Sequence, residues 1–105
     1  MGGTLLHLAG RIARARDTTR EAGSAPAEPI LSYLQRFYYD VISFHPPALE
    51  AAIETVGVDQ FVFGTDYPFH EASTDATISD VESVVSEESD LRAIMSQTAE
   101  DLFGI

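Results

Sequence analysis

Two short apolar stretches, "FYYDVISF" (37–44) and "QFVFGT" (60–65), limit the fold more than anything else in this 105-residue chain. Both are aromatic and β-branched and hold a single charge between them, the composition of strands buried on both faces. The segment between them, "HPPALEAAIETVG", has Pro47 to open a helix and Gly57 to end it. Leu49, Ala52, Ile53 and Val56 give that helix an apolar stripe. Continuous apolar strands joined through a helix predict a parallel sheet in an α/β fold. Two strands cannot close such a sheet, so each buried strand has at least one edge without a partner. The chain therefore reads as part of a larger sheet, or as one completed by another chain.

The flanking segments are helical. Leu5, Leu8, Ala9 and Ile12 share a face and predict a helix over roughly 4–20. "EAGSAPAEP" (21–29) reads as a loop, and Pro29 as the first residue of a short helix ending near Gln35. Beyond the second strand, "HEASTDAT" is a polar loop. Thr77 with Asp80 forms a capping box for a helix reaching about Val85. A last helix is expected over about 87–103, with Leu91, Ile94, Met95, Thr98 and Leu102 inside and Gly104 as its stop.

Charge narrows the partners. Seventeen acids face six bases, all arginine, for a net charge of −11. Such a surface repels nucleic acid and anionic membranes, and the cluster Arg11, Arg14, Arg16 and Arg20 is too small to reverse that. A lysine-free acidic surface also fits a protein kept soluble in high salt, a halophilic expectation. No stretch of 18 apolar residues is present to span a membrane. The opening "MGGTLLHLAGRIARAR" carries its charge after its apolar run, the reverse of a signal peptide. The absence of cysteine removes disulfides, thiolate metal sites and thiol nucleophiles, and suits a cytoplasmic protein.

The second strand ends on an acid. In parallel α/β folds, sites form at the C-terminal ends of strands, where Asp66 stands. It could ligate a divalent cation or take a proton from bound water; it could equally cap its own turn. His45 ends the first strand, His70 follows Asp66 by four residues, and His7 falls in the first helix. Each also fits a surface or packing histidine. Gly2-Gly3 could let backbone N–H groups approach an anion. Glu87-Glu88 suit the start of the last helix. No HxH pair, HExxH helix, phosphate loop or GxSxG elbow occurs.

Taken in order, "GGTLLHLAGRIARA", "RFYYDVISFHPPALEAAIETVGVDQFVFGTDYPF" and "SEESDLRAIMSQTAEDLFGI" resemble the C-terminal part of a metal-dependent amidohydrolase. The resemblance covers nearly the whole chain and points to the subgroup containing aminocarboxymuconate-semialdehyde decarboxylase. It implies a (β/α)8 barrel of which residues 1–105 supply only the last strands and helices, one incomplete barrel domain. "GTDYPF" matches the family aspartate that binds the metal and helps handle the proton of its bound water, which implies that role for Asp66. The family's "GG…GR" segment matches an arginine that binds a substrate carboxylate, in some members across a dimer interface, which implies that role for Arg11.

The family's HxH pair and its other histidines have no counterpart in these residues, and its usual Gly-Asn-Ala reads Gln97-Thr98-Ala99. The resemblance thus implies a hydrolase or decarboxylase (a carboxy-lyase) for a small carboxylated substrate, with zinc as the expected cation in the complete fold. By itself this chain is expected to be inactive and to hold no stoichiometric metal, since a catalytic zinc takes about three protein ligands. Homodimerisation or association through open sheet edges is expected. The alternatives are an inactive truncated remnant and an acidic interaction module working through those edges.

Overall fold

A computed structural model describes residues 2–21, 23, 26–69 and 74–105. The chain runs α1 (Ala9–Glu21), α2 (Ile30–Leu34), β1 (Tyr39–Asp40), α3 (Pro46–Val56), a 3-10 turn (Val58–Gln60) and β2 (Phe61–Val62). It continues with α4 (Thr74–Val84), α5 (Glu88–Arg92), a π turn (Ala93–Gln97) and α6 (Thr98–Phe103). The two strands pair in parallel, Tyr39 with Phe61 and Asp40 with Val62. The connection through α3 is the expected strand–helix–strand unit.

Each strand is far shorter than its apolar stretch, with only two residues in the ladder. A ladder is defined by its neighbour, and among the described residues each strand has one. Beyond the ladder, Phe63 N–H instead donates to Ile94 C=O in the π turn (3.0 Å).

The core forms where the strand pair meets α3, α4 and the last helical segment. Phe61, Leu49, Ile94 and Val81 are fully buried, each worth about 1.5–3 kcal/mol in transfer free energy. The Tyr39 and Phe61 rings lie 5.7 Å apart across the ladder. Tyr39 O–H donates to Leu34 C=O (2.8 Å), which ties α2 to β1, and burial pushes its phenol pKa up. The Gln60 amide donates to Gln35 C=O (2.8 Å) and Phe37 C=O (2.9 Å), holding the entrances of both strands together. The Cα radius of gyration is 15.5 Å, against about 13 Å for a compact globule of this length. The molecule is elongated, with principal extents of 49 × 29 × 26 Å.

Several boundaries differ from those expected. Residues 3–8 form turns, with Gly2 and Gly3 at positive φ, and α1 begins only at Ala9; His7 therefore precedes the helix. Pro29 is the cap of α2 (φ −57°, ψ 145°) and not its first residue. Helix α3 starts one residue before the expected Pro47, at Pro46. Helix α4 starts at Thr74, so Thr77 lies inside it and is buried, which rules out the capping box at Thr77 and Asp80. Gly57 and Gly104 end their helices as expected, Gly104 in the left-handed conformation (φ 68°) that costs glycine least. Leu102, expected inside, is 40% exposed. The π turn adds a residue between Ile94 and Leu102, so a face drawn for an uninterrupted α-helix does not hold at its far end.

Among the described residues no helix is long and apolar enough to cross a membrane. Of the arginine cluster, Arg16 is used structurally. Its guanidinium donates to Pro26 C=O (3.2 Å) and Ala27 C=O (3.1 Å) and pairs with Asp17 (3.2 Å), fastening α1 to the segment that leads into α2.

Candidate active site

The two strands leave the ladder in the same way. Counting on from the pairing of Asp40 with Val62, Ile42 falls level with Gly64 and Phe44 with Asp66. Phe44 (φ 53°) and Asp66 (φ 59°) are the non-glycine residues at positive φ among those described. Both exits therefore turn through the left-handed region at the same height above the ladder. Aspartate tolerates that conformation because its short side chain bonds locally, whereas a bulky aromatic there is strained.

Between these exits lies a concavity of about 250 Å³ lined by Gly2, Gly3, Asp40, Ile42 and Asp66. Gly2 and Gly3 form one side of it. A Cβ on Gly2 would stand 2.9 Å from the Tyr39 ring, and Gly2 has φ 65°, so only glycine lets the backbone lie against that strand. The Gly2-Gly3 pair singled out in the sequence thus borders the same hollow as Asp66. At Gly64 a Cβ would approach Asp40 Cβ and Ile42 Cδ1 at 3.8 Å, ordinary contact. A larger surface hollow of about 500 Å³ lies on the last helical segment, lined by Glu88, Ser89, Arg92, Ala93 and Gln97. It gathers none of the strand-exit residues, so the smaller one is the candidate site.

Asp40 is the residue that the sequence reading missed. It is half-buried, and its Oδ1 accepts the Ile42 N–H (2.8 Å), which pins the first exit two residues beyond the ladder. The signal was available: aspartate often bonds the backbone two residues on. Asp66 is exposed, and its C=O accepts the Phe69 N–H (2.9 Å), closing the "DYPF" turn. Turn-former and site carboxylate are therefore compatible roles for it.

The other candidates stand apart. Arg11 is exposed early in α1 and is not among the residues lining the Asp66 concavity. His45 caps α3 with its backbone. Its N–H donates to Ser43 Oγ (3.1 Å) and its C=O accepts from the same hydroxyl (3.0 Å), while the residue is exposed. His7 is exposed, and His70 lies outside the described residues. Glu87 precedes α5 and Glu88 sits in its first turn, where negative charge suits the helix dipole.

The amidohydrolase family model matches residues 3–105, and the chain belongs to that family. In three dimensions it is similar to the crystal structure of Metarhizium anisopliae IDCase in apo form. The TM-score is 0.83 and the sequence identity 28%, over 98% of this chain. The match covers 32% of the IDCase chain, so these residues span about a third of that structure's length. No curated protein matches.

Proposed function

We propose that this chain is the C-terminal part of a (β/α)8-barrel enzyme of the amidohydrolase type, a hydrolase or decarboxylase for a small carboxylated substrate. In this reading Asp66 is a metal ligand that also handles a proton of metal-bound water, and Arg11 binds the substrate carboxylate. The observation that carries it is the position of Asp66. It stands at the exit of β2, on a left-handed backbone, bordering a concavity between parallel strand ends. Ligands of α/β folds bind at that end of the strands.

The residues in hand do not fit a whole metal centre. Among the described residues no three His, Cys, Asp or Glu side chains are grouped to hold an ion. A catalytic zinc takes about three protein ligands and keeps one open position. Asp66 would supply one ligand, and the others would come from strands beyond this third of the fold.

A chimera tests the reading: residues 1–105 replace the matching third of the Metarhizium anisopliae IDCase. The chimera is expected to turn over the IDCase substrate, and Asp66→Asn to abolish turnover with the fold intact by circular dichroism. An active Asp66→Asn chimera would refute the role. Arg11→Ala should raise KM with a smaller change in kcat, as loss of a substrate clamp does.

The second reading, an inactive remnant that associates through its uncovered faces, draws on the exposure of Phe44, Tyr67, Phe69 and Phe103 (52%, 87%, 83% and 70%). Under it the chimera would remain inactive.

A further inference from the structure

The last helix is interrupted at the point where it meets the strand that carries Asp66. Thr98 N–H bonds Ala93 C=O, five residues back, where an α-helix would use Ile94 C=O, four back. Thr98 thus leaves the Ile94 carbonyl for another donor, and the Phe63 N–H takes it at 3.0 Å. Ile94 itself is fully buried. Phe63 is the first residue past the β2 ladder and stands three residues before Asp66. The opposite exit is fixed one residue further along, by Asp40 and the Ile42 N–H. At the second exit the helix holds the Phe63 N–H. π turns cost helical hydrogen-bond geometry and persist where the freed carbonyl has other work.

We infer that the π turn over Ala93–Gln97 is a positioning device for the Asp66 loop, acting through the Ile94 C=O···H–N Phe63 bond. The inference rests on the reading of Asp66 as the site carboxylate only for its functional meaning. The coupling itself concerns backbone.

Amide exchange by NMR in the full 105-residue chain tests it. The Phe63 amide is expected to be protected. Deleting Ser96, which returns the helix to α register, should speed its exchange about tenfold, the factor for one net hydrogen bond. The Thr65 and Asp66 amide signals should shift, while the Ala52 amide in α3 keeps its protection. Phe63→Pro removes the donor and leaves the helix alone, so it should shift Thr65 and Asp66 in the same way. Phe63→Ala keeps the N–H and should not. If the Ser96 deletion costs Ala52 its protection, the chain has unfolded, and the Phe63→Pro and Phe63→Ala pair decides. A freely exchanging Phe63 in the parent chain overturns the inference. So do Thr65 and Asp66 signals that respond equally to Phe63→Pro and Phe63→Ala, or to neither. None of these readouts involves metal or turnover, so a failed metal assignment for Asp66 would register separately.

Discussion

The two strand exits share a backbone path and differ in everything attached to it. Each turns through a left-handed residue four positions past the last ladder pair, at Phe44 in one and Asp66 in the other. The first is tied internally, through Asp40 and the Ile42 N–H, and runs straight into α3 through its cap residue His45. The second is tied from outside, through Phe63 and the last helix, and opens into the exposed "DYPF" turn. The lesson is a division of labour. The β1 exit is built to be stable, while the β2 exit carries an exposed carboxylate on a support supplied by another element.

The largest effect should come from removing what both exits rest on. Phe61 is fully buried against Tyr39, and Phe61→Ala should cost about 3–5 kcal/mol in urea unfolding. A loss below about 1 kcal/mol would mean that the exits do not share a core. Next, Asp40→Ala removes the charged acceptor of the Ile42 N–H. It should cost about 1.5–3 kcal/mol, with Asp40→Asn milder because an amide oxygen still accepts. Equal losses from the two variants would break the claim that this bond ties the first exit.

Relieving the left-handed residues sharpens the contrast further. Phe44→Gly should stabilise by up to about 1 kcal/mol, and more than Asp66→Gly, because aspartate already tolerates that conformation. The reverse order would contradict the strain assigned to Phe44. The smallest effect is alkaline. Burial raises the Tyr39 pKa above its ordinary 10.0, so the folded state holds that proton more tightly than the unfolded one. Its contribution is complete below about pH 10 and is lost as pH climbs through the raised folded value. Tyr39→Phe should flatten this alkaline decline in a pH series of melting temperatures.

Much of this was legible in the chain, and the rest has identifiable reasons for being hidden. The order of helices and strands followed from apolar runs and their punctuation, and Leu49, Ala52, Val56 and Ile94 fell on the buried faces that their spacing predicts. Strand length was not legible, because a ladder extends only as far as its partner, and among the described residues each strand has one. The start of α1 was misplaced because Leu5 and Leu8 have helical spacing, yet Gly2 and Gly3 hold the chain in turns. The π turn depends on an acceptor for Phe63, a tertiary demand that no periodicity of the last helix records. For the site, the sequence singled out Asp66 and the bordering glycines but missed Asp40, whose bond to the backbone N–H two residues on is a local habit of aspartate.

The central claim is that the second exit presents a metal-binding carboxylate and the first does not. Zinc content of the IDCase chimera, measured after dialysis, tests it most directly. The account predicts stoichiometric zinc in the parent chimera and in Asp40→Asn, and its loss in Asp66→Asn. Full retention of zinc by a folded Asp66→Asn chimera would contradict it.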